Sequence, residues 1–184
     1  MNSITSVSVD TDNIQAGYEA VKYLLKKGHQ KIGYIGEKKD VQYSIDRRLG
    51  YIQALSEAGY EIKEDYIKNL SSSYSYNPNE ILELLRSDDC PSAFVVCDDI
   101  YAVIMVRLIT EVGKKVPDDI SIVSFNNSIF ARFSELPLTS IDVSPNQLGM
   151  EAVVQLIKHI ETPTMFATSN ITINAIAPGT IETE

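Results

Sequence analysis

Arg47, Asp98 and Asn126 are the residues of this 184-residue chain whose types and settings are best suited to chemistry. Asp98 follows the apolar run SAFVVC (92–97), Asn126 follows ISIVSF (120–125), and Arg47 opens the R-x-x-G-Y of DRRLGY. A carboxylate, an amide and an arginine fork are planar groups that make two hydrogen bonds at once. Hydroxyls that both donate and accept require such partners. Together the three suit a neutral polyhydroxyl ligand. Each also has a plainer use: Asp98 as the cap of a helix beginning at Asp99, Asn126 as a turn residue, and Arg47 as the ion-pair partner of Asp46 or Glu37.

Catalysis has no comparable footing. There is no G-x-S-x-G, and His29 and His159 fall at helix C-terminal ends, where a capping or surface role is the simpler use. Cys90, Cys97 and the two histidines stand at no metal-ligand spacing, and GYIGEKKD lacks the third glycine and the lysine of a phosphate loop. The residues therefore point to binding without catalysis, metal or cofactor.

Composition bounds the class. A net charge of −9 and a pI near 4.7 oppose a nucleic-acid surface, which needs clustered lysine and arginine. Lys26, Lys27 and Lys31 read as solvated helix-end charges. Two cysteines form no disulfide framework at this length, the opening MNSITSVSVD has no signal-peptide pattern, and no apolar run approaches a membrane span. A soluble cytoplasmic protein with no membrane partner is expected.

These residues need elements to position them, and strand-like and helix-like patterns alternate along the chain. Strands are expected at 4–9, 31–36, 92–97 and 120–125, with weaker ones in DYIKNL, LTSIDV and NITINAIA. Between them lie helices that begin near Asp12 or Asn13, from about Ser44 to Gly59, after Asn77 (with Pro78 and Glu80), from Asp99 to Gly113, and from the Ser144, Pro145 and Gln147 box to about Glu161. Such alternation predicts an α/β fold with a mainly parallel sheet, in which ligands bind beyond the carboxyl ends of the strands. Asp98 and Asn126 fall at two of those ends, and Arg47 in the crossover after a third.

The ordered set DNIQAGYEAVKYLLKKGHQKIGYIG, DRRLGYIQALSEAG, PSAFVVCDDIYAVIMVRLITEVGKKVPDDISIVSFNNS and PLTSIDVSPNQLGMEAVVQLI resembles the effector-binding core of LacI-type transcriptional repressors over nearly the whole chain. SIVSFNNSIFARFSELPLTSID is most similar to the maltose-operon repressors of Gram-positive bacteria. The resemblance implies a type I periplasmic-binding-protein-like fold, two α/β lobes with helices on both sheet faces and a sugar effector between them. It further implies a C-terminal lobe at 11–138 and 166–184 and remnants of an N-terminal lobe at 1–10 and 139–165. The helix-turn-helix headpiece through which the family reads DNA has no counterpart after Met1. By position it assigns effector contacts to Arg47, Asp98 and Asn126, with Asp10 as a further candidate. Asn126 stands where many members carry aspartate.

The helix from Asp99 to Val112 is apolar around more of its circumference than one sheet contact requires. Tyr101, Ile104, Met105 and Leu108, extended by Phe130 and Phe133, are therefore expected to form a homodimer interface, as in the resembled family. A transport-linked sugar-binding protein of the same fold, or a Rossmann-like enzyme, would be the competing functions.

Overall fold

The computed structural model describes residues 8–37, 41–70, 78–161, 172–174 and 181–182. They fall into two compact units, a smaller one of 1–12 and 143–179 and a larger one of 13–142 and 180–184. The expected lobe boundaries straddle this division. Thr139–Ile141 is hydrogen-bonded into the larger unit's sheet, whereas Thr172–Asn174 pairs with Ser8–Asp10 in the smaller unit.

The smaller unit contains strand β1 (Ser8–Asp10), helix α6 (Pro145–Glu161) and strand β7 (Thr172–Asn174), with β1 and β7 parallel. The larger unit holds α1 (Asn13–Lys26), β2 (Ile32–Gly36), α2 (Gln42–Glu57), β3 (Ile67–Asn69), α3 (Asn79–Arg86), β4 (Ala93–Val96), α4 (Asp99–Glu111), β5 (Ser121–Phe125), α5 (Ile129–Phe133), β6 (Thr139–Ile141) and β8 (Ile181–Glu182). Its sheet runs β3-β2-β4-β5-β6-β8, parallel throughout except for β8, an antiparallel edge strand that the sequence pattern does not announce.

All four residues of β4 are buried, so both faces of that strand are covered. The cover comes from α1, packed on α2, and from α4, packed on α3; α1 and α4 each lie against β4 and β5. The helices begin and end much as expected. Asp98 caps α4 by accepting from the Ile100 N–H at 2.8 Å, and Gly28, Gly59 and Gly113 take positive φ after α1, α2 and α4. Asn77, the expected cap of α3, lies outside the described residues, and α3 starts after Pro78. Among the described residues no helix is long and apolar enough to cross a membrane.

Two features fix α2, the helix that carries Arg47. On the sheet side, Tyr34 of β2 donates to the Ser44 carbonyl and Tyr51 of α2 donates back to the Ile32 carbonyl, each at 2.8 Å. On the α1 side, Gly17 and Gly50 let the two helices meet backbone to backbone. A Cβ on Gly17 would lie 2.1 Å from the Arg47 carbonyl oxygen, and one on Gly50 would lie 2.0 Å from that of Ile14. Because the obstructing atoms are main chain, no side-chain rotation relieves the overlap. Gly50→Ala is expected to cost about 1–3 kcal/mol of stability, the usual penalty of overpacking, read as a lower midpoint in urea denaturation at unchanged slope. An unchanged midpoint would show that the helices can part without penalty.

Candidate ligand-binding site

The site is built around a buried arginine. Arg47 is only 4% exposed. Its Nε donates to Asn13 Oδ1 at 2.9 Å, Nη1 to the Cys97 carbonyl at 2.6 Å and Nη2 to Asn126 Oδ1 at 3.3 Å. The guanidinium lies between two rings, with Cζ 4.4 Å from the Phe125 centroid and 5.0 Å from that of Tyr43. Asn126 turns its amide nitrogen to Asp98 Oδ2 at 2.5 Å, and the Tyr43 hydroxyl donates to Glu37. The cluster thus draws on the start of α1, on α2, and on the carboxyl ends of β2, β4 and β5.

Electrostatics follow from this enclosure. Burial lowers the proton affinity of Arg47, and desolvation raises the Asp98 carboxyl above its ordinary value, with the Ile100 N–H and Arg47 opposing the rise. A guanidinium stays charged in proteins, so its donors must be matched. Of its five N–H groups, three meet partners among the described residues, one on each guanidinium nitrogen. Desolvation also pushes the Cys97 thiol up to about 12, which leaves it unreactive.

The asparagine pair has a conformational reason. Asn126 and Asn127 take φ values of 96° and 44°, the left-handed region that asparagine tolerates better than most residues. Asn126 N–H then donates to the Ile141 carbonyl at 2.8 Å, and Asn127 N–H to Ser140 Oγ at 3.0 Å. Ser128 caps α5 by accepting from the Phe130 N–H at 3.2 Å. Beneath this turn, buried Asp99 accepts from Ser124 Oγ at 2.5 Å, Ser140 Oγ at 2.7 Å and Ser128 N at 2.7 Å. One carboxylate therefore ties α4 to β5, β6 and the start of α5.

The structure brings Arg47, Asp98 and Asn126 into one hydrogen-bonded chain. Asp10 belongs to the smaller unit, where its carboxylate accepts from the Thr11 N–H at 2.7 Å. Asn13 is the residue that sequence reasoning missed as part of the site. Its position at the start of α1 suggests only a cap, and the α1–α2 crossing is what brings its amide oxygen to Arg47. Tyr43 and Phe125 flank the arginine, while Phe125 is also fully buried core.

The expected interface residues divide. Tyr101, Met105 and Leu108 are buried in the chain's own core, so they are corrected from interface to core residues: α4 is covered by the sheet on one side and α3 on another. Ile104 is half-buried, and Phe130 and Phe133 are 47% and 83% exposed.

A parallel α/β sheet that gathers a polar cluster at its carboxyl edge defines a ligand-binding domain of the periplasmic-binding type. The description "periplasmic binding protein-like domain" matches residues 21–177, and the chain belongs to that family, in the form that serves as the ligand-binding core of LacI-family transcriptional regulators. It is 37% identical over 163 residues to the HTH-type transcriptional repressor PurR of Mannheimia succiniciproducens (84% of this chain, 48% of the relative). It is 30% identical over 154 residues to CytR of Escherichia coli K12 (84% and 45%). Among solved structures, a putative transcriptional regulator LacI from Bacillus cereus subsp. cytotoxis superimposes with a TM-score of 0.79 at 32% identity, covering 94% of this chain and 60% of that one. A CelR–cellobiose complex does so with a TM-score of 0.77 at 27% identity, covering 89% and 50%. The chain spans about half the length of the curated relatives it matches.

Arg47→Ala is expected to lower stability on the order of 3 kcal/mol, because it removes packing between two rings and leaves Asn13, the Cys97 carbonyl and Asn126 short of buried partners. Equilibrium denaturation would show it, and a loss below about 0.5 kcal/mol would return Arg47 to a surface role. In a carbon-detected pH titration, the Asp98 carboxyl is expected to titrate above the ordinary 3.8. A midpoint at or below that value would mean that solvent reaches the group.

Proposed function

We propose that the chain is the effector-sensing core of a sugar-responsive repressor and acts in the cytoplasm. The observation that carries this reading is the Arg47–Asn126–Asp98 chain at the carboxyl edge of the sheet, which keeps a guanidinium, a carboxylate and an amide at one place. These groups answer vicinal hydroxyls, and a relative at 27% identity is described as a cellobiose complex. Asp10, in the smaller unit, is kept as a further candidate effector residue on the resemblance alone. The effector's identity as maltose rests on the stretch SIVSFNNSIFARFSELPLTSID alone, so cellobiose and ribose are the informative comparisons.

In this reading a further segment of the protein reads DNA, in keeping with the acidic charge of this chain and with the longer HTH-type relatives. The exposed apolar residues Met150, Val153, Leu156 and Ile160 of α6 suit burial beneath the remainder of an N-terminal lobe. Sugar closure between the lobes would then alter the spacing of DNA-reading segments in a dimer. The dimer contact would use Ile100, Phe130 and Phe133, all exposed, with Ile104 at its margin.

Thermal-shift titration of the full-length protein with maltose, cellobiose and ribose tests the effector, because in this reading the remainder of the N-terminal lobe completes the cleft. Stabilisation by at least one sugar is expected, reaching about 2.7 kcal/mol at a hundredfold excess over Kd, and Asn126→Gly should abolish it while keeping the positive φ. No response to any sugar, or an equal response in the variant, overturns the reading. For the dimer, Phe133→Lys is expected to convert a dimeric parent to monomer in sedimentation velocity. A monomeric parent or an unchanged variant refutes that contact.

A further inference from the structure

A cavity of about 630 Å³ opens at the opposite, amino edge of the larger unit's sheet, between the last turn of α1 and the first residues of β5 and β6. Its walls include Tyr23, Ile122, Leu136 and Pro137, and its polar groups include Lys27 and His29. None of these belongs to the Arg47 cluster. The volume lies in the range of small-molecule sites, roughly 300–1,000 Å³.

Lys27 makes no ion pair among the described residues, and its Nζ stands 5.4 Å from the Tyr23 ring centroid. A cation held over an aromatic wall, without a carboxylate, suits an anionic group on an apolar body. His29 contributes a different atom. Ser92 Oγ donates to the Lys31 carbonyl at 3.4 Å, and His29 Nδ1 lies 2.9 Å from the same Oγ. Nδ1 is thus engaged by Ser92, and in either tautomer Nε2 is left to pair with a hydroxyl, which both donates and accepts. Partial burial lowers the pKa of His29, in keeping with a neutral ring at neutral pH.

We propose that this cavity is a ligand site separate from the Arg47 cluster, for a small hydroxylated aromatic carboxylate whose anion meets Lys27, whose hydroxyl hydrogen-bonds His29 and whose ring lies against the Tyr23 and Pro137 walls. The site is independent of the sugar reading, since it shares no residue with that cluster.

The probe is 4-hydroxybenzoate, titrated into the nitrogen-15-labelled chain, with its uncharged methyl ester as control. Saturable shifts of the Gly28, His29 and Ile122 amides are expected for the acid. The ester and the Lys27→Met variant should each bind at least about tenfold more weakly, and His29→Phe should weaken the acid without restoring the ester. Failure of those amides to shift, an ester that binds as well as the acid, or full affinity in Lys27→Met would each overturn the proposal. Maltose added to the complex should leave the shifts in place, and their reversal by maltose would place the probe in the Arg47 cluster instead.

Discussion

A guanidinium that cannot give up its proton must find its hydrogen-bond partners wherever it is buried, and that requirement organises the larger unit. Arg47 meets it by reaching α1 through Asn13, β4 through the Cys97 carbonyl and β5 through Asn126. These partners converge only if α2 lies close against α1. The backbone contact at Gly17 and Gly50, one turn from Arg47 itself, supplies that closeness. Packing and site are in this sense one construction: the glycines bring the helices together, and the arginine uses the proximity.

Asp99 plays a matching part with the opposite charge. Three donors converge on its carboxyl group, two serine hydroxyls and one backbone N–H, so among the described residues this buried group is matched by hydrogen bonds with no ion pair. Because Ser140 also receives the Asn127 N–H, the turn after β5 is fixed from below while Asn126 is directed to Arg47 and Asp98. The turn that ends β5 therefore presents its amide in a set orientation. That orientation allows a neutral side chain to mediate between the buried cation and the half-buried carboxylate.

Alternating patterns made the order of strands and helices readable, and strand ends placed Arg47, Asp98 and Asn126 at one edge of the sheet. Asn13 escaped notice because its role depends on the crossing of two helices, which periodicity does not encode. The two serines beneath Asp99 escaped for a similar reason, since inward-facing hydroxyls on β5 and β6 look like ordinary strand residues. In α4 the apolar excess was real, but its assignment to a partner was wrong at Tyr101, Met105 and Leu108. A helix covered by the sheet on one side and by α3 on another needs apolar residues around much of its girth without any second chain. The antiparallel β8 had no signal in a run as short as Ile181–Glu182.

The edges of the larger sheet bear on how the protein behaves when crowded. An open sheet offers unpaired backbone groups at each border, a template for runaway strand addition. Here one border is β3, three residues long and bearing Lys68 at its centre, and the other is the two-residue β8 running against its neighbour. Among the described residues, both borders offer only a short ladder for such pairing. Association through backbone pairing is disfavoured, and contacts with other molecules are left to helical faces, where side chains can discriminate one partner from another.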